Sequence, residues 1–105
     1  MDAAKRKLGL MVSTAPDHPN LETALGLATA ALDGGGEVYL YLIDDGVAGV
    51  EEPRVQRLAA RGARLFVCAY GCQKRRQPLS DKATNCGLVV LTDVINGTDR
   101  FLALN

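Results

Sequence analysis

The feature of this sequence that most limits its possible folds is the alternation of short apolar runs with segments of helical periodicity. The runs hold the aliphatic and aromatic residues that favour strands, and short links join them to the helical segments. This alternation predicts an α/β fold, a three-layer sandwich with a mostly parallel sheet and helices on both faces. We expect parallel strands near residues 7–13, 37–43, 63–68 and 99–104.

Helices are predicted between these strands from the spacing of apolar residues and from the residues that begin or end helices. The first begins at about Leu21, with Asn20 as its N-cap, and three glycines end it. The second begins at residues 51–53. A short helix is expected at 73–79 and a last one at 87–96, with a polar connection between them.

Length and charge restrict the class of protein. A chain of 105 residues is predicted to form a single domain over residues 1–105. Its formal net charge is zero, so no overall field favours nucleic acid or an anionic membrane. The basic start at residues 1–7 precedes an apolar run that is too short for a signal peptide or a membrane span. We expect a cytoplasmic protein.

Chemistry is expected where the third strand ends. Cys68 closes that strand and Cys72 follows after a turn, at the opening of an expected helix. Open α/β sheets place their ligands beyond the carboxyl ends of their strands. Nearby cations stabilise the nucleophilic thiolate form of cysteine. Cys68, Cys72 and Cys86 are therefore the candidate catalytic thiols, and the candidate thiolate-stabilising residues are Lys74, Arg75 and Arg76.

Other interpretations of the same residues stay open. Cysteine is often simply buried, and an odd number of cysteines, three here, argues against a disulfide framework. The three cysteines with His18 would form a zinc set, but no C-x2-C pair supports it, so no metal and no cofactor is predicted. A small thiol-redox protein would use a Cys72–Cys86 or a Cys68–Cys72 disulfide. A non-catalytic binding or regulatory module would keep the thiols buried.

The sequence resembles the DsrE/DsrF-like family, which includes the TusD-type sulfur-relay proteins. Three pieces carry the resemblance: residues 8–32, residues 65–68 with the Arg75-Arg76 pair, and residues 87–91 with 98–101. The resemblance implies a flavodoxin-like α/β architecture. It also implies that a cysteine after the third strand, here Cys68, carries sulfur as a persulfide. The expected function is that of a sulfur carrier, in which Cys68 or Cys72 accepts sulfane sulfur as a persulfide and exchanges it with donor and acceptor proteins, with Cys86 as a candidate resolving or relay thiol.

Assembly into a homo-oligomer, a dimer or a trimer, is the last expectation. The resembled family commonly assembles in this way. Tyr39 and Tyr41 are expected on opposite faces of the second strand, where they would leave aromatic surface to be covered.

Overall fold

The protein is described here by a computed structural model of residues 5–105, so the first residues of the basic start lie outside the described part. Its sheet has five strands, all parallel, in the order β4-β3-β2-β1-β5. The strands are β1 Lys7–Val12, β2 Glu37–Leu42, β3 Arg64–Cys68, β4 Thr84–Cys86 and β5 Arg100–Leu104.

Helices cover both faces of this sheet, which confirms the predicted α/β class. The helices are α1 Pro19–Asp33, α2 Pro53–Ala60, α3 Ala69–Lys74 and α4 Leu88–Gly97, and a 3₁₀ helix spans Asp44–Glu51. Helices α1 and α2 pack against each other on one face. Helix α4 packs on the other face, over Tyr39 and Phe66.

All four predicted strands are present, but the sequence prediction missed β4. Residues 80–86 were expected to be a polar connection, whereas Thr84–Cys86 forms the edge strand beside β3. Three residues are too few to show a period of two, and only one of these three is apolar. The strand forms through its backbone pairing with β3, which the sequence pattern does not report.

The short helix after β3 also differs from its prediction. It was expected at residues 73–79, but α3 spans Ala69–Lys74. Cys68 is its N-cap, because the Gly71 N–H donates a hydrogen bond to the Cys68 Sγ. At the other end, Arg76 has a positive φ of 54° and the Gln77 N–H bonds back to the Cys72 carbonyl. Basic residues expected to open a helix therefore close one.

A similar shift occurs at the start of α1. The N-cap is His18 and not Asn20, because the His18 Nδ1 accepts a hydrogen bond from the Asn20 N–H. The helix begins at Pro19, which suits a first turn because proline lacks the N–H that would stay unbonded there.

The face under α1 and α2 is closed. Alternate residues of the central strands point to it and are almost fully buried: Leu10, Val12, Val38, Leu40, Leu42 and Val67. Burial of such side chains contributes about 1.5–3 kcal/mol each. The predicted helical face Leu21, Ala24 and Ala28 of α1 packs on them.

The tyrosines of β2 share one face, which corrects the expectation that they point apart. They are two residues apart, and side chains in a strand alternate with a period of two. Tyr39 pairs in register with Arg64, and Tyr41 with Phe66. The Arg64 guanidinium lies 5.6 Å from the Tyr39 ring centroid. Tyr41 stacks on Phe66 at 6.4 Å. Both tyrosines are therefore on the α4 side.

Membrane insertion was not expected. Across residues 5–105, none of the helices combines the length and the apolar character needed to cross a bilayer.

Candidate functional site

Two cysteines meet at the carboxyl edge of the sheet. Cys68 is the last residue of β3, Cys86 is the last residue of β4, and the two are partners in register. Neighbouring parallel strands lie about 4.8 Å apart, and paired residues point to the same face. The Cys68 and Cys86 side chains therefore leave the sheet side by side, on the face that carries Tyr41.

The chain turns to opposite faces after these two strands. The 3₁₀ helix packs on the α1 and α2 side, where Gly49 faces the Leu42 side chain, and α3 packs on that helix through Gly71 and Val47. Helix α4, which follows β4, covers the other face. The point at which connections diverge is where open α/β sheets form a crevice. Here that point lies between Cys68 and Cys86.

The Cys68 thiol is held by the start of α3. Its side chain is nearly buried, and its Sγ accepts a hydrogen bond from the Gly71 N–H at 3.4 Å. The close packing of Gly71, where a Cβ would meet Val47 at 3.2 Å, keeps this N–H in place.

Arg75 is the cation of this edge that has fixed partners. Its Nε donates to the Asp45 carboxylate at 2.8 Å, and its Nη2 lies 3.9 Å from Asp44. The pKa of Arg75 is raised, mainly by the hydrogen bond to Asp45 and further by the charges of Asp45, Asp44 and ionised Cys68. Cys68 therefore lies within the electrostatic reach of a guanidinium whose position two carboxylates define.

Tyr41 lies near the thiols of both Cys68 and Cys86. Its ring is fully buried, and its hydroxyl donates to the Gly87 carbonyl at 3.0 Å, directly after β4. Burial raises the pKa of Tyr41, and the charges of ionised Cys86 and Cys68 raise it further. The hydroxyl therefore stays protonated in the physiological range. Its one hydrogen is donated to the Gly87 carbonyl, and the hydroxyl lies near both cysteines.

Cys86 is half-buried and is the most accessible of the three thiols. Its Sγ makes a long contact of 3.8 Å with the Val67 carbonyl. Burial raises the pKa of Cys86, and the neighbouring Tyr41 hydroxyl partly opposes this rise. Tyr41 therefore favours the thiolate of Cys86.

Cys72 has a different environment from the one expected. The sequence suggested a turn, but Cys72 lies inside α3 and is about 1% exposed. Burial raises the pKa of its thiol, and the nearby Cys68 raises it further. Its surroundings favour the protonated thiol, which is the unreactive form.

The three expected cations lie at the C-terminal end of α3. Lys74 is its last residue, Arg75 is the C-cap, and Arg76 follows with left-handed backbone. Within residues 5–105, Arg75 is the one of these three that forms an ion pair. The basic run therefore does not surround a thiol as a group.

A zinc set of the three cysteines with His18 was one of the interpretations. The side chain of His18 is engaged in capping α1. In the part of the chain that the structure describes, no group of three or more His, Cys, Asp or Glu residues is arranged to hold a metal ion.

Sequence reasoning missed two contributors to this site. Tyr41 was expected only to add aromatic surface. It pairs in register with Phe66, which lies two residues before Cys68 on β3, so Tyr41 and Cys68 lie on the same face of the sheet. The Asp44-Asp45 pair follows β2, and Asp44 has left-handed backbone with φ of 52°. Its pairing with Arg75 depends on tertiary contact, which the sequence does not display.

Comparison with known proteins identifies the fold. No protein-family model matches the chain, and no curated protein is significantly similar to it in sequence. The crystal structure of the ychN protein from E. coli superposes with a TM-score of 0.78, over 96% of this chain and 100% of that chain. The two sequences are 19% identical, so the similarity shows a shared fold.

Proposed function

We propose that this protein is a sulfur carrier of the DsrE/DsrF-like type, in which Cys68 accepts sulfane sulfur as a persulfide and passes it on by thiol exchange. The observation that carries this proposal is the position of Cys68 at the carboxyl end of β3, beside Cys86 in the crevice between diverging connections. The sequence resemblance and the fold shared with the ychN protein are consistent with it.

Cys68 suits the carrier role better than Cys72. A persulfide is anionic near neutral pH and needs hydrogen-bond donors and positive charge, as a thiolate does. The Gly71 N–H donates a hydrogen bond to the Cys68 sulfur, and the Cys68 charge contributes to the raised pKa of Arg75. Cys72 has neither, and its burial favours the neutral form. A persulfide also places its outer sulfur about 2.05 Å beyond Sγ, which moves the atom to be transferred away from the buried position.

Donor and acceptor proteins are part of this proposal. They would approach the carboxyl edge, where Tyr70 is 69% and Leu79 is 65% exposed. Both residues line a cavity of about 420 Å³ beside Ala69, which follows Cys68. Exposed apolar side chains next to a reactive group are typical of a transient protein contact. A reducing compartment, the cytoplasm, would keep the thiols available.

A homo-oligomer, a dimer or trimer, also belongs to the proposal. Helix α4 exposes apolar side chains that a second copy could cover: Leu88 at 58%, Val89 at 72% and Ile95 at 44%. Light scattering at micromolar concentration should give at least twice the chain mass, and Val89→Glu should lower it. A monomeric mass for the unmodified chain would contradict this part alone.

The experiment that tests the carrier is persulfide trapping. The reduced chain and a Cys86→Ser variant are mixed with glutathione persulfide and quenched with iodoacetamide after short times. The peptides are then examined by mass spectrometry. The variant is included because a thiol beside Cys68 could consume the persulfide.

One additional sulfur atom on the Cys68 peptide is expected in at least one of the two chains, and it should be absent from a Cys68→Ser chain. A Cys72→Ser chain is the matched control, and it should load normally. If neither chain holds the extra sulfur, or if Cys68→Ser still loads, Cys68 is not a sulfur carrier.

One observation favours the binding module as a second candidate. Cys68 is 3% and Cys72 is 1% exposed, as expected for cysteines that only pack. If both resist iodoacetamide until the protein is denatured, the binding module is the better interpretation, and the carrier proposal is rejected.

A further inference from the structure

Within the described structure, the register of β3 and β4 pairs two of the three cysteines. Cys68 and Cys86 are partners, whereas Cys72 lies one turn into α3. A Cys68–Cys86 pair differs from both disulfides considered from the sequence. The sequence could not suggest it, because it depends on the edge strand β4.

We propose that Cys86 is the resolving thiol of the site: its sulfur attacks the Cys68 sulfur of the persulfide, displaces the outer sulfur as hydrogen sulfide and closes a Cys68–Cys86 disulfide. This inference rests on the proposed persulfide at Cys68. It assigns to the site a second outcome, reductive release of sulfide, besides transfer of sulfur to an acceptor.

The backbone spacing suits this bond. In-register residues of neighbouring parallel strands have their Cα atoms about 4.8 Å apart, inside the range of about 4.4–6.8 Å seen across disulfides. Both side chains leave the same face of the sheet. The small approach that bond formation requires is available, since β4 is a three-residue edge strand and no atom lies within 4 Å of a Cβ placed at Gly87.

Tyr41 favours the thiolate form of Cys86, which is the form that attacks. Its hydroxyl is fixed by the Gly87 carbonyl at 3.0 Å and interacts with Cys86 and Cys68. It partly offsets the effect of burial on Cys86, which favours the thiolate that attacks.

The step balances without an external oxidant. The Cys68 persulfide and the Cys86 thiol contain three sulfur atoms and two hydrogens that become one disulfide and one hydrogen sulfide. One S–S bond breaks, between Cys68 Sγ and the outer sulfur, and one forms, between the two Sγ atoms. The outer sulfur is reduced and the Cys86 sulfur is oxidised, whereas the Cys68 sulfur is bonded to one other sulfur before and after the step. A dithiol reductant, such as a thioredoxin-type protein, would then restore both thiols.

The test uses the full chain without oxygen, with glutathione persulfide carrying labelled sulfane sulfur. Labelled sulfide and intact mass are followed over time in the unmodified chain, in Cys86→Ser and in Cys72→Ser, which is the matched control. Circular dichroism and urea unfolding verify that each variant is folded. A sample without the donor excludes oxidation by other routes.

The unmodified chain and Cys72→Ser should release labelled sulfide and end lighter by two hydrogen atoms, with a peptide linking Cys68 to Cys86. Cys86→Ser should keep one extra sulfur on Cys68, and its sulfide release should fall to background.

Two results would overturn the resolving role in different ways. If the unmodified chain keeps the extra sulfur and forms no disulfide, or if Cys86→Ser releases sulfide at the same rate, Cys86 does not resolve and the carrier proposal survives. If no chain gains sulfur, or if Cys86→Ser gains a glutathionyl group instead, both proposals fail.

Discussion

The two faces of the sheet differ in how completely they are covered. Under α1 and α2 the strand residues are aliphatic and almost fully buried, as at Leu10 and Leu40. Under α4 the strands carry Tyr39, Phe66 and other residues that stay half-buried, and a cavity of about 350 Å³ opens beside the helix. One helix, α4, covers this face of the sheet, whereas two helices, α1 and α2, cover the opposite face.

The two faces therefore have different roles, because one contributes mainly to stability and the other holds the reactive groups. The closed face holds aliphatic side chains with no polar group, so it contributes packing and little else. The α4 side holds the groups that can react or donate: Tyr41, Cys68 and Cys86. We expect reagents to reach this side more easily, because fewer helices cover it.

The largest expected effect is on stability, from a matched pair of leucines. Leu40→Ala removes a side chain that is 2% exposed under α1 and α2, whereas Leu88→Ala removes one that is 58% exposed on α4. The first should lower the free energy of unfolding by about 2–5 kcal/mol. The second should change it by about 0.5 kcal/mol or less at a chain concentration at which the protein is monomeric. Urea unfolding measures both, and equal losses would show that the α4 side is as closed as the other.

The second prediction concerns the accessibility of the thiols. Cys72 is buried and its pKa is raised, while Cys86 is half-buried and has a donor in Tyr41. Iodoacetamide at pH 7.5 should alkylate Cys86 and Cys68 in the native protein. Cys72 should be alkylated at least about tenfold more slowly, equivalent to a difference of about 1.4 kcal/mol. Peptide mapping after short labelling gives the three rates. Labelling of Cys72 first would reverse the comparison.

The sequence predicts the closed face better than the α4 side. Continuous aliphatic runs and the helical spacing at Leu21, Ala24 and Ala28 are local patterns, and they predicted four strands and the α1 surface that covers them. Cys68 was placed correctly at the end of β3 for the same reason. The partner of Cys68 was not predicted, because β4 forms by pairing with β3 and its three residues show no pattern.

The positions of the basic residues Lys74, Arg75 and Arg76 could not be predicted from the sequence either. Their number and order were visible in the sequence, but a helix that starts at Ala69 puts them at its C-terminal end. Which of them is held in place depends on Asp44 and Asp45, which begin the 3₁₀ helix. Contacts between distant segments decide the electrostatics of this site, and periodicity does not encode them.

The third prediction uses the two tyrosines of β2. Tyr41→Phe leaves the Gly87 carbonyl without its donor and should cost about 1 kcal/mol of stability near pH 7. Tyr39→Phe is the control, because its hydroxyl bonds the Glu37 carboxylate, which water can solvate instead. Tyr41→Phe should also slow the alkylation of Cys86, since it removes the donor that favours the thiolate. An unchanged rate of Cys86 alkylation would show that the Tyr41 hydroxyl does not act on this thiol.

The fourth prediction concerns the free energy of unfolding at alkaline pH, where Tyr41 and the cysteines lose their protons. The pKa values of Tyr41, Cys72 and Cys86 are raised in the folded protein. Stability from a raised pKa is complete below the unfolded value, about 8.5 for cysteine and about 10 for tyrosine, and is lost as pH rises through the folded value. The free energy of unfolding should therefore fall above about pH 8.5, and Tyr41→Phe should lose less above about pH 10. A flat profile to pH 11 would contradict these shifts.

The smallest expected effect tests the field at the carboxyl edge. Arg75→Gln removes a positive charge from the end of α3 and leaves Asp44 and Asp45 uncompensated, so the potential at the Cys68 sulfur should become less positive. Lys74→Gln removes an equal charge one residue away and is the matched control. Arg75 is solvent-exposed, so we expect Cys68 labelling to slow only about two- to fivefold. The difference from the control should shrink as salt rises from about 0.01 M to about 1 M, because the Debye length falls from about 30 Å to about 3 Å. Equal slowing by both variants would mean that only net charge matters. No slowing in either would leave the Gly71 N–H as the donor that holds the sulfur.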